Sequence, residues 1–154
     1  MADKKPSTIF TMKLSSTSPT HARTDISVRD VETVVDEPEV RGGTNLGPSP
    51  TEFQLAALVS CTNVIGNRLA GKMGVDWHGL SIEVEADFDR RGVLIEKEID
   101  TPFVAVRMAI SVDSNATDEQ IQQISDDLAR YCPIEKTMTG SGTMITKTWT
   151  VNRG

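Results

Sequence analysis

Aromatic side chains are scarce in this chain, at 5% of 154 residues, with two tryptophans, one tyrosine and four phenylalanines. A core built on so little aromatic bulk must lean on aliphatic residues, and a second copy of the chain would add burial that one copy lacks. Long apolar runs are absent too. No stretch approaches the roughly 18 to 20 consecutive apolar residues of a membrane-spanning helix, and the opening MADKKP has none of the apolar centre of a secretory signal, so a cytoplasmic location is expected. Positive charge is in deficit, with 16 Lys and Arg against 22 Asp and Glu, a net charge of −6 and a pI near 4.9. With no basic run interleaved with aromatics, an extended nucleic-acid groove is excluded as a working idea. Histidine is limited to His21 and His78, each isolated, and there is no Cys-x-x-Cys or His-x-x-x-His pair to seed a metal site. A zinc site from Cys61, Cys132 and His78 would still need a fourth ligand. Neither metal nor cofactor is expected.

Cysteine is the remaining scarcity, and the informative one. There are only two, Cys61 and Cys132. A permanent disulfide is improbable in a reducing compartment, which leaves such a pair as catalytic, redox-sensing, metal-binding or simply buried.

What is present fits one α+β domain over residues 1–154, with no internal repeat and no low-complexity tract. A chain of this size buries roughly 70% of its extended surface on folding. Ser7–Leu14 and Asp25–Val35 mix β-branched and alternating polar residues, and read as two strands of a hairpin-like opening around a polar loop. Residues 36–50 (DEPEVRGGTNLGPSP) are dense in Gly and Pro and read as a structured surface connector. Ser49 as N-cap, Pro50 at the first helical position and Glu52 in capping-box spacing then launch a helix. It is apolar around much of its circumference from Phe53 to Leu69, as a buried helix is, and ends near Gly71–Gly74. Residues 80–89, 93–100 and 103–113 read as a three-stranded meander. Thr117–Tyr131 reads as a second helix with Thr117 and Gln120 in capping-box spacing, followed by Cys132-Pro133, a short helical piece and a last strand around Thr143–Val151. Trp77 and Trp149 are expected to pack.

A cysteine reacts as its thiolate, and Cys61 lies about 16 Å beyond the helix start, outside the reach of the helix dipole. Burial in an apolar helix disfavours charge, so a reactive Cys61 needs a cation from elsewhere in the fold, and a guanidinium is the natural choice.

The stretch Gly42-Gly43-Thr44-Asn45-Leu46-Gly47-Pro48-Ser49-Pro50-Thr51-Glu52, running through Leu55-Ala56-Ala57-Leu58 to Ser60-Cys61, with Cys132-Pro133-Ile134 downstream, resembles the OsmC/Ohr family of osmotically inducible and organic hydroperoxide resistance proteins. The wording GGTNLGPSPTE is closer to the OsmC-like branch. The resemblance implies an α+β fold in which antiparallel sheets wrap central cysteine-bearing helices in an intertwined homodimer, with active sites at the subunit interface. It also implies a thiol peroxidase for organic hydroperoxides. Cys61 would be oxidised to a sulfenic acid, Cys132 would resolve it as a disulfide, and a dithiol of lipoyl type would restore the pair. Arg41, nine residues before Pro50, would be the guanidinium, with Arg29 as its rival, and Glu52 the carboxylate. The family's acid usually follows the proline directly, where this chain has Thr51. Nine helical steps put Glu52 opposite Cys61, a position that suits a cap. Thr62-Asn63 stands where the peroxidase branches often carry an aromatic. The competing reading is a non-enzymatic, redox-responsive or small-molecule-binding dimer of the same fold.

Overall fold

The structure is a computed structural model and describes residues 7–154; the MADKKP opening, and the expectation attached to it, lie outside the described residues. The chain forms two compact units, residues up to Gln54 and from Leu55 onward.

In the first unit, β1 (Ser15–Thr17), β2 (Thr24–Val28) and β3 (Val31–Val35) form an antiparallel sheet in that order. Two sequence expectations are corrected here. Asp25–Val35 is not one strand but a tight hairpin, because Arg29-Asp30 makes a two-residue turn with Val28 opposite Val31 and Arg29 at φ 56°. The alternating residues Ser7–Leu14 carry no strand, and Ile9, Phe10, Met12 and Leu14 are exposed. Alternation marks a face, but a strand exists only where a neighbour supplies ladder partners. Among the described residues those partners begin at Ser15, which pairs with Ser27.

The connector after β3 is organised by one buried carboxylate. Asp36, fully buried, accepts hydrogen bonds from the amides of Glu37, Thr44 and Leu46 and from the Thr44 hydroxyl. A short 3-10 turn, Glu39–Arg41, closes on Gly42 at φ 86°. Two glycines are required by close approach: a Cβ on Gly43 would fall 1.8 Å from the Glu37 carbonyl oxygen, and one on Gly47 2.1 Å from that of Val34.

Helix α1 (Pro50–Met73) starts at the expected proline and stops before Gly74 at φ 66°. It is less enclosed than its composition suggests. Leu58, Thr62, Gly66, Leu69 and Ala70 are buried, whereas Phe53 and Val64 are exposed.

In the second unit β4 (His78–Phe88) and β5 (Phe103–Asp113) pair antiparallel, and β6 (Met144–Asn152) lies parallel to β5. The sheet is therefore mixed, not wholly antiparallel, since the path from β5 to β6 runs through helices α2 (Asp118–Tyr131) and α3 (Pro133–Gly140), a crossover that returns the chain in the same direction. The middle strand of the expected meander does not form. Residues 93–100 coil between β4 and β5, held by backbone bonds from Leu94 to Arg90 and from Ile95 to Gly92, with Ile95 at φ 58°. Alternation in β4 and β5 sets the core: Val106, Met108, Ile110 and Val112 are buried on one face of β5. They pack in two clusters, one with Leu58 and Met138, the other with Leu69, Ala70, Ile121, Ile124 and Leu128. Trp77 and Trp149 meet edge to face at 5.8 Å. Helix α2 carries the expected capping box, Thr117 Oγ1 accepting from the Gln120 amide and Gln120 Oε1 from the Thr117 amide.

Candidate functional site

The two cysteines come together in the second unit. Cys61 lies on α1, three turns from its start, and is half-buried; Cys132 is fully buried at the joint between α2 and α3; both are free thiols. Cys132 ends one helix and begins the next. Its amide bonds back to the Leu128 carbonyl, while its sulfur accepts the amide of Glu135 at 3.4 Å, the place a serine or aspartate takes in an ordinary N-cap. Pro133 follows at the first position of α3, where its missing N–H costs nothing.

The environments of the two sulfurs differ. Burial first, and then the neighbouring Cys61 thiol, push the Cys132 thiol up to about 11 against the opposing amides of Glu135 and Ile134. Cys61 is the less buried of the two.

A largely apolar pocket of about 330 Å³ is lined by Ile65, Arg68, Leu69, Lys72 and Met73 of α1 and by Asp127 and Tyr131 of α2; neither cysteine lines it. Ile65 is one turn beyond Cys61 on the same helix face, and Tyr131 adjoins Cys132. Thr62 turns inward and its hydroxyl bonds to the Leu58 carbonyl, while Asn63 is exposed.

The other sequence-selected residues belong to the first unit. Arg41 is exposed and its Nε donates to Glu37 Oε2 at 2.6 Å. Glu52 accepts both the amide and the hydroxyl of Ser49 at 2.8 Å, which holds its carboxyl below the usual range, with a smaller contribution from the charge of Arg41. Its contacts are those of a helix cap, half of the expected box: the carboxylate reaches back to the cap residue, and the Ser49 hydroxyl donates to that same carboxylate. Arg29 stands exposed at the β2–β3 turn.

Two functional-looking residues escaped sequence reading. Glu135, in the first turn of α3, and Lys147, on β6, form a buried ion pair, their side chains 2% and 7% exposed. The signal was available in β6, where Ile145, Lys147, Trp149 and Val151 share the inward register. A lysine in an apolar register needs a partner. Among the described residues no cluster of three His, Cys, Asp or Glu could hold a metal, and no helix is long and apolar enough to cross a membrane.

A mixed sheet backed by helices, with a helix-borne thiol beside a second thiol at a helix joint, defines a paired-cysteine α+β protein. The family model described as OsmC-like protein matches residues 43–147, and the chain belongs to that family. Its fold is similar to an OsmC-like protein from Mycoplasma pneumoniae, at 16% identity over 93% of this chain and 98% of that one, with a TM-score of 0.76. A putative osmotic stress induced and detoxification response protein from Psychrobacter arcticus shows 19% identity over 99% and 100% of the two chains, with a TM-score of 0.70. An organic hydroperoxide resistance protein from Elizabethkingia anophelis shows 15% identity over 96% and 99%, with a TM-score of 0.62. At these identities the likeness is one of fold. No curated protein sequence matches the chain.

Proposed function

We propose that the protein is a cytoplasmic thiol peroxidase that reduces organic hydroperoxides through Cys61 and Cys132 and works as a homodimer. The observation that carries this reading is the convergence of the only two cysteines, one half-buried and one fully buried. The Cys61 thiolate attacks the outer peroxide oxygen, the O–O bond breaks, and the alkoxide takes a proton and leaves as an alcohol. Cys61 is left as a sulfenic acid. Cys132 attacks that sulfur, hydroxide leaves and is protonated to water, and a disulfide forms. A dithiol of lipoyl type then exchanges with the disulfide, giving back both thiols and leaving as its own disulfide. Arg41 is the proposed guanidinium for Cys61, with Arg29 as the rival, and Glu52 the proposed carboxylate. Homodimerisation is supported by the exposed apolar residues of α1 and of residues 9–14.

Intact-mass analysis after one equivalent of an alkyl hydroperoxide should show loss of two hydrogens and both thiols. Cys61→Ser should abolish peroxide consumption, and Cys132→Ser should stop at a trappable sulfenic acid. A Cys61 that stays a free thiol under excess peroxide overturns the assignment.

The engagement of Arg41 by Glu37 and of Glu52 by Ser49 favours a second reading, a redox-responsive or small-molecule-binding dimer without turnover. It predicts one round of oxidation, or saturable ligand binding, with no sustained peroxide consumption when dihydrolipoamide is supplied. Arg41→Ala and Arg29→Ala, assayed separately, identify the guanidinium that turnover requires.

A further inference from the structure

The amide that meets the Cys132 sulfur belongs to Glu135, and the side chain of that same residue is tied to the sheet. Its carboxylate is ion-paired with Lys147, which sits opposite Met108 in the β5–β6 register. The second carboxylate oxygen, Oε2, is buried and has no hydrogen-bond partner among the described residues. A charge so enclosed, with one lone-pair side empty, is tolerated only because the ammonium is held against it. The pair therefore ties the first turn of α3 to β6, next to the buried central strand β5. Nothing in the thiol chemistry written above uses either charge.

We infer that Glu135 and Lys147 are positioning residues for the resolving cysteine: the ion pair anchors the first turn of α3 so that the Glu135 amide stays on the Cys132 sulfur while that sulfur attacks oxidised Cys61. The inference rests on the peroxidase reading for its physiological meaning. In the step concerned, the Cys132 thiol gives up its proton and its sulfur bonds to Cys61. The bond from Cys61 sulfur to the sulfenic oxygen breaks, and the oxygen leaves as hydroxide, taking up a proton to become water. Negative charge grows on Cys132 before the new bond forms, in a site without solvent. A donor already in place there needs no reorganisation, whereas one that has drifted leaves the charge unsupported.

The test separates oxidation from closure. In Lys147→Met and in Glu135→Gln, whose side chain keeps the parent shape, Cys61 should be oxidised by peroxide at the parent rate. Disulfide closure, followed by quenched mass analysis with dimedone trapping, should slow by about tenfold or more. Lys147→Arg, which keeps the cation, should restore closure. A structural role alone would not split the two rates. A second arm uses diamide, which activates Cys61 without any peroxide and is displaced from it by Cys132 in the same closure. Failure of peroxide to oxidise Cys61 would defeat the peroxidase reading, while the diamide arm would still judge the anchor. Should Lys147→Met fail to fold, Glu135→Gln decides. Closure at the parent rate in a folded Glu135→Gln or Lys147→Met protein overturns the inference, as does a Lys147→Arg variant that closes no faster than Lys147→Met. In the parent, the amide resonance of Glu135 should move on Cys132→Ala, and in folded Glu135→Gln the amide of residue 135 should lose that response.

Discussion

At the scale of single residues, the two thiols differ in burial, and that difference has a pH signature. Cys132 titrates near 11, above the ordinary thiol value of 9.0, because burial disfavours its charge. At pH 7 to 9 only a small fraction of it is thiolate, so disulfide closure should accelerate roughly tenfold per pH unit across that range, read by quenched mass analysis. The same shift bears on stability. The thiol stays protonated in the folded state where the unfolded chain would ionise, so its stabilisation is complete below about pH 9 and is lost as pH rises toward about 11. Cys132→Ala should lose less stability than the parent across that window in denaturant titrations. Both cysteines were legible in the sequence because rarity and a proline after one of them mark them. Lys147 was legible only as a charge in the apolar alternation of Ile145, Trp149 and Val151, and Glu135 not at all, since a glutamate early in a helix is unremarkable until its partner is seen.

Elements were legible where local chemistry decides them. Ser49-Pro50 starts α1, Gly74 stops it, and Thr117 with Gln120 starts α2. Thr117→Ala should cost about 1 kcal/mol, read in thermal or urea unfolding, because the Gln120 amide loses its acceptor. The connector is stricter. Gly43→Ala and Gly47→Ala each drive a Cβ into a backbone carbonyl, so both should unfold or displace residues 36–50. Faster amide exchange at Thr44 and Leu46, whose acceptor is Asp36, would report it. Protonation of Asp36 should act on the same amides. Its carboxyl is held below the usual range, first by the Thr44 hydroxyl and then by backbone amides, so its stabilisation is present above the ordinary carboxylate range and fades as pH falls through its lowered value. Elements that depend on a distant partner were misread. Residues 7–14 and 93–100 have strand-like composition, yet one lacks ladder partners among the described residues and the other is coiled by its own turn bonds.

For the molecule as a whole, both buried apolar clusters lie in the second unit and are mostly aliphatic, with Trp77 among their members. Leu128, fully buried between α2 and its neighbours, has no larger residue to compensate for its loss. Leu128→Ala should cost about 2 to 5 kcal/mol, and chemical denaturation at equilibrium would measure it. The apolar residues Phe53 and Val64 are left exposed on α1, where the proposed homodimer would cover them. If a second copy covers them, sedimentation should give twice the 16.8 kDa chain mass and unfolding should depend on protein concentration. Val64→Glu should then shift the species toward the single chain, with the folded circular dichroism kept.

Cys132 is the last stop of α2 and the first support of α3 at once. In the proposed disulfide the same sulfur would also be bonded to α1, so three helices would hang on a single atom.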